Sequence, residues 1–235
     1  MKKLVTTFCA VAALALVAQS AFAANAVRIS QAYGGGGGST GTYLRDYVEI
    51  FNSSGSPVNI GGWSLEYGSA TGNWGSSAGN IFTFPANTII QPCSYLLLEA
   101  GAVGTAGVAL PVVADFSTST GGFSMSGTTG KVGLFTVVNT NLACGSEVAG
   151  SLVDKVAYGT SNCWEGAGDA PPLTSVQAAV RLNGGLTDTD NNAADFGAVA
   201  TSGLTIHNAA SGASQNCLTT PSMNSTWGRV KSIYR

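Results

Sequence analysis

Val180-Arg181-Leu182-Asn183-Gly184-Gly185, followed by Asp188-Thr189-Asp190-Asn191-Asn192-Ala193-Ala194-Asp195-Phe196, is the stretch whose reading decides the fold. Ala178 to Leu182 has the length and composition of a short strand, and it runs into a segment crowded with Asp and Asn. Asp188, Asp190, Asn192 and Asp195 offer oxygen atoms at near-alternating positions, the arrangement a hard cation such as calcium takes in a loop. An EF-hand is excluded, because Ala193 stands where that loop turns on a glycine and Val199 where its bidentate glutamate belongs.

Working back toward the N-terminus, short alternating segments recur between Gly/Ser/Thr-rich connections. Val27 to Gln31 alternates apolar and polar residues and stops at Gly34 to Gly38, read as a flexible loop. Tyr43 to Asn52 alternates again, with Val48 and Ile50 on one face and Tyr47, Glu49 and Phe51 on the other. Pro57 to Ile60, Trp63 to Tyr67, Ile81 to Pro85, Ser94 to Glu99, Lys131 to Val137 and Leu152 to Tyr158 read as further strands. About eight to ten short strands with no amphipathic helix argue for an all-β, immunoglobulin-like sandwich. No long internal repeat and no Pro/Ser linker marks a second domain.

Three motifs in this order resemble the lamin tail domain family in its secreted bacterial form. The first is Asp46-Tyr47-Val48-Glu49-Ile50-Phe51-Asn52 followed by Gly61-Gly62-Trp63-Ser64-Leu65. The second is Asp154-Lys155-Val156-Ala157-Tyr158-Gly159 leading to Cys163-Trp164-Glu165-Gly166, and the third is the closing stretch from Arg181 to Phe196. The resemblance spans about residues 26 to 200 and implies a sandwich in which the Asp/Asn segment is a structural turn, its side chains bonding nearby backbone amides. Trp63 is then the expected core anchor, since one large aromatic on a central strand fills the gap between two sheets. The family implies interaction or scaffolding roles toward a protein or cell-surface partner, and no reaction.

The ends and the composition bound the rest. Lys2-Lys3, an apolar run from Leu4 to about Ala18 and Ala21-Phe22-Ala23 have the form of a signal peptide over residues 1–23, cleaved after Ala23. That run is shorter than the roughly 18 residues of a spanning helix, so no retained membrane anchor is expected. The domain is expected over 24–212, with a tail over 213–235. Loss of Lys2 and Lys3 from the 10 basic residues leaves 8 against 12 acids, a net charge of −4 that disfavours nucleic acid or anionic lipid as partners. With only 9% charged residues and 32 glycines, the composition suits an exported β-protein with long turns.

Cys9 leaves with the leader, and Cys93, Cys144, Cys163 and Cys217 remain, an even number for an oxidising compartment. Three pairings are open. The family resemblance favours Cys144 with Cys163, because bacterial members often carry a cysteine just before the second motif, and this leaves Cys93 with Cys217.

Signals for catalysis are sparse. His207 is the single histidine, too little for most acid–base or metal chemistry. Gly122-Phe123-Ser124-Met125-Ser126 lacks the second glycine of a nucleophile elbow. Gly130-Lys131 lacks both the first glycine and the hydroxyl of a phosphate-binding loop, which Met125 and Val132 replace. No Cys-x-x-Cys spacing supports a structural zinc. Glu49, Glu66, Glu99 and Glu165 could serve a glycoside hydrolase only if two of them met across a cleft; on strands with one apolar face, Glu49 and Glu66 read as solvated. The reading is therefore a non-catalytic extracellular or envelope module without cofactor, with a secreted hydrolase or a calcium-dependent adhesion domain as alternatives. In the tail, Trp227, Val230 and Ile233 or Tyr234 share one side of a short amphipathic helix pattern that Asn224, Ser225 or Thr226 would cap.

Overall fold

A computed structural model describes residues 26–118 and 122–217. The leader with Ala23 and the tail pattern after Cys217 lie outside the described residues. The strands follow the alternating segments: β1 (Val27–Tyr33), β2 (Asp46–Asn52), β3 (Val58–Asn59), β4 (Ser64–Gly68), β5 (Ile81–Thr83) and β6 (Ile89–Ile90). They continue as β7 (Tyr95–Ala100), β8 (Phe116–Ser117), β9 (Gly130–Phe135), β10 (Leu152–Tyr158), β11 (Gln177–Arg181) and β12 (Phe196–Ala200). The order β12-β11-β1-β2-β7-β8 makes a six-stranded sheet, β10-β9-β4-β5 a four-stranded one, and β3-β6 a small ribbon. The result is an immunoglobulin-like β-sandwich. Among the described residues no helix is long and apolar enough to cross a membrane.

Register explains which side chains enter the core. Val48 faces Leu98 and Ile50 faces Leu96 across β2 and β7, so the apolar phase of both strands points the same way. Those four pack with Val27, Ile29 and Ala179 against Leu65, Tyr67, Val132, Leu134, Val156 and Tyr158 of the other sheet. Two bulges adjust the phase. At Ser30 the pairing passes from Ile29↔Ile50 to Gln31↔Glu49, so Ser30 is the extra residue and Gln31 lands on the outer face. At Val153 the pairing resumes with Asp154↔Leu134, which puts Asp154 on the same inward phase as Val156 and Tyr158.

Both outer sheet faces are covered, which the alternation alone does not reveal. On the six-stranded sheet, Tyr33, Tyr43, Tyr47, Leu97, Ala178 and Ile206 form a second buried cluster, with Leu110, Val112 and Leu204 packed on it from the connecting segments. On the four-stranded sheet, Trp74 and Phe135 pack edge to face at 5.4 Å beneath the loops. This corrects the solvated reading of Glu49 and Glu66, which are 1% and 0% exposed. It also corrects Trp63, which is only partly buried at the margin of the main core. Leu65 and Tyr67 fill the gap between the sheets instead, and Trp74, fully buried, belongs to the satellite cluster outside it.

The glycine run is another correction. Gly34 and Gly35 are buried, and a Cβ there would lie 2.3 Å from Ser126 O and 2.2 Å from Ser175 O. One on Gly36 would lie 2.1 Å from Arg45 C. Glycine is needed for backbone-to-backbone packing, and the exposed part of the loop is confined to 37–40.

Cys93 is bonded to Cys217 with Cα atoms 5.5 Å apart, and Cys144 to Cys163 at 5.6 Å. The first closes a separation of 124 residues and the second one of 19, worth about 3 to 5 kcal/mol each in the chain-entropy account.

Candidate functional site

Arg181 stands on the inward phase of β11, two residues after the core residue Ala179, and is 1% exposed. A guanidinium has five N–H donors, and all are used. Nε donates to Ile29 O at 2.9 Å, Nη1 to Thr187 O at 3.1 Å and Asp188 Oδ1 at 3.0 Å, and Nη2 to both carboxylate oxygens of Asp154 at 2.7 Å. Its Cζ lies 4.4 Å from the centroid of the Phe196 ring. Burial opposes the charge of Arg181, but Asp154, Asp188 and Asp195 outweigh it and hold the guanidinium above its usual range. Asp154 is fully enclosed, so burial pushes its carboxyl upward against the pull of Arg181 and of the Ile29 amide, which donates to it at 2.6 Å.

The Asp/Asn segment folds around this arginine as a hydrogen-bonded turn. Asp195, 0% exposed, accepts from Thr189 N at 2.8 Å, Thr189 Oγ1 at 2.7 Å and Asn191 N at 3.2 Å. Those donors outweigh burial and lower its carboxyl below the usual value. Asn192 acts on a strand: its Oδ1 accepts from Ala157 N at 3.0 Å and its Nδ2 donates to Lys155 O at 2.9 Å. The side-chain amide thus replaces a neighbouring strand at the outer edge of β10. Asp188 faces Arg181 and Arg28, and Asp190 is an exposed residue with φ of 53°, a left-handed position that Asp tolerates. Of the four calcium candidates, Asp188, Asn192 and Asp195 therefore direct their oxygens at different partners rather than at one point. Asp188 and Asp190 line a polar cavity of about 410 Å³ with Arg28, Val153, Asp154 and Leu186.

The glutamates are dispersed in the same way. Glu49 accepts from Ser30 Oγ at 2.6 Å and from His207 N at 2.6 Å, with His207 Nδ1 3.1 Å away. His207 stacks on Tyr95 with centroids 4.2 Å apart. Serine, carboxylate and histidine are thus in line with the carboxylate in the middle, so the hydroxyl is not presented to the imidazole as a nucleophile would be. The trio instead fastens residues 204–211 across the outer face of the six-stranded sheet. Asp115 assists, accepting from Leu97 N at 2.8 Å and Ala209 N at 3.0 Å. Glu66 accepts from Ser64 Oγ at 2.8 Å and Asn139 N at 2.6 Å, and burial raises its carboxyl. Glu99 pairs with Arg45 at 3.1 Å.

Two further carboxyls carry large shifts. Glu165 lies partly buried near Asp154 and Asp190 and is raised by burial to about 8. Asp46, absent from the sequence candidates, is raised by burial to about 7 although Met125 N and Gly36 N both donate to it, at 2.7 and 2.8 Å. Its signal in the sequence was only its place before an apolar strand and beside the glycine run it organises.

A crystal structure of a DUF4876 family protein from Bacteroides thetaiotaomicron superposes with a TM-score of 0.53 at 13% identity, covering 81% of this chain and 75% of that one. At that identity the likeness speaks for the fold alone. No curated protein sequence matches the chain. The Lamin Tail Domain family matches residues 20–160, which takes in the first motif and the Asp154–Gly159 part of the second; Cys163–Gly166, β11, the Asp/Asn turn and β12 lie beyond that span, with β11 and β12 completing the six-stranded sheet. Neither similarity points to an enzyme family, and the chain belongs to the lamin tail domain family.

Proposed function

We propose that the protein is an exported, non-catalytic lamin-tail module that binds a protein or cell-surface partner through its loops. The observation that carries this reading is the use made of its acid and base groups. Glu49, Glu66, Glu99, Asp154, Asp188, Asp195 and His207 all hold the chain's own backbone or side chains in place. Their engagement with the chain's own groups supports a reading without the free acid–base pair that glycoside hydrolysis requires. Export is supported by the leader pattern and by the two disulfides, which persist in oxidising compartments.

Contact through the loops is supported by where apolar side chains remain exposed. Trp164 is 45% exposed next to Cys163, and Val148 is 51% exposed in the loop that carries Cys144. A rigidly mounted tryptophan is a common anchor of protein interfaces. The test is affinity capture from the producing culture's envelope and medium with the wild type and Trp164→Ala, beside hydrolysis assays on glycans. A partner retained by the wild type and lost by the variant supports the proposal. Glycan turnover abolished by Glu165→Gln overturns it in favour of the hydrolase.

A further inference from the structure

Charge is divided unequally along the chain. All 12 acids fall between Asp46 and Asp195, and over 26–217 the only lysines and arginines are Arg28, Arg45, Lys131, Lys155 and Arg181. Residues 218–235, outside the described part, carry Arg229, Lys231 and Arg235 and no acid. At helical spacing, about 100° per residue, Trp227, Val230 and Tyr234 share one side of that segment and Lys231 and Arg235 fall along its border.

The described chain delivers this segment to one end of the sandwich. Cys217 is bonded to Cys93, and Asn216 lies against the β11–β12 connection, where a Cβ on Gly184 would be 3.0 Å from its Nδ2. On one side of Gly184, Leu182 is 44% exposed. On the other, half-buried Leu186 lines the polar cavity of about 410 Å³ together with Arg28, Val153, Asp154, Asp188 and Asp190. Two apolar side chains thus border a cavity in which carboxylates outnumber the guanidinium. Asp154 is taken up by Arg181, and Asp188 by Arg181 and Arg28. The exposed Asp190 carboxylate has neither hydrogen bond nor ion pair among the described residues. The excess negative charge reaches Glu165, whose carboxyl is raised first by burial and then by Asp154 and Asp190.

We propose that this end of the sandwich is a docking surface for a basic peptide segment with one apolar side, and that residues 218–235 of the same chain occupy it. Trp227, Val230 and Tyr234 pack on Leu182 and Leu186, and Lys231 or Arg235 places its charge in the cavity against Asp190 and Asp188. The reach is sufficient. At random-coil dimensions residues 218–226 span about 17 Å, and the chain from Gly184 to Asp190 covers at most about 20 Å. A tether of that length holds the segment at an effective concentration in the millimolar range, so contacts too weak to hold a separate peptide are occupied within one chain. The inference goes beyond the Trp164 surface, giving the cavity an occupant whatever the loops bind.

The test is amide hydrogen/deuterium exchange of the full, disulfide-intact chain, read by mass spectrometry on peptides from 218–235 and compared with the same synthetic peptide in solution. At low ionic strength the wild-type segment exchanges more slowly than the synthetic peptide, and concentrated salt removes most of the difference. Lys231→Glu/Arg235→Glu, which leaves the body untouched, lowers the protection about two- to fivefold. Asp190→Lys, at an exposed position, does the same. Combining the three reversals restores the protection, which a merely disturbed fold would not do. Exchange at the synthetic-peptide rate in the wild type, protection unchanged in both charge variants, or no recovery in the combined variant overturns the proposal. Protection that rises with protein concentration also overturns it, because the occupant is then a second copy.

Discussion

Arg181 and Asp154 form an ion pair across the sandwich, one guanidinium nitrogen donating to both carboxylate oxygens at 2.7 Å, with both residues almost wholly withdrawn from water. Because β11 belongs to the six-stranded sheet and β10 to the four-stranded one, the pair ties the two sheets together at this end. Losing Arg181 leaves the buried Asp154 carboxylate without its counter-charge, and losing Asp154 leaves two buried N–H donors of Arg181 unmet, with Asp188 and Asp195 as its remaining acidic partners. Arg181→Met or Asp154→Leu alone should each cost about 3 to 5 kcal/mol, measured by urea unfolding. The double replacement should recover a large part of that loss, because an apolar pair removes both desolvation penalties.

Substitutions along the glycine run separate packing from flexibility. Gly36→Ala places a Cβ against the Arg45 backbone and should cost several kcal/mol or prevent folding, whereas at Gly38 the nearest atom is 3.9 Å away. Gly38→Ala should change stability by no more than about 0.5 kcal/mol. Thermal melting of the two variants is the comparison, and equal effects would contradict the packed loop.

Asn192 protects the outward edge of β10. Asn192→Ala leaves Ala157 N and Lys155 O without the amide that satisfies them, at a cost of about 1 to 3 kcal/mol. The bared edge should also shorten the time to aggregation near the melting temperature, followed by light scattering.

Stability should fall as pH rises from about 4 to about 8. Asp46 is raised from 3.8 to about 7 and Glu165 from 4.5 to about 8, so the folded state favours their protonated forms. Their contribution is complete below the unfolded values and is lost as pH rises through the folded ones. Glu165→Gln should flatten the upper part of this decline, with urea midpoints at intervals across the range as the readout. An unchanged slope would remove Glu165 from the account.

The sequence made the strands legible where one face was apolar and the length sufficient, as in β2, β7 and β10. It missed β6 and β8, each two residues long, and β12, whose Phe-Gly-Ala-Val-Ala carries little alternation. It placed Glu49 and Glu66 in water because period two reports that a residue points away from one sheet's core and not what lies beyond. Loops of distant sequence cover both outer faces, and no local pattern encodes that contact. The Ser30 bulge slips the phase of β1 by one residue, so Gln31 pairs with Glu49 on the face opposite to the one simple alternation assigns it. Arg181 and Asp154 were readable in part: a charged residue on the inward phase of a strand calls for a buried partner. Which partner depended on how two sheets meet.

The most direct test of the central claim, that the Asp/Asn segment is a structural clasp around Arg181, is the melting temperature of the disulfide-intact protein in calcium and in chelator, for the wild type and Asp190→Asn. The account predicts the same melting temperature in both conditions, since Asp188, Asn192 and Asp195 already spend their oxygens on Arg181 and on backbone amides. A calcium-dependent rise of about 5 °C or more, absent in Asp190→Asn, would contradict it and make this turn a cation site.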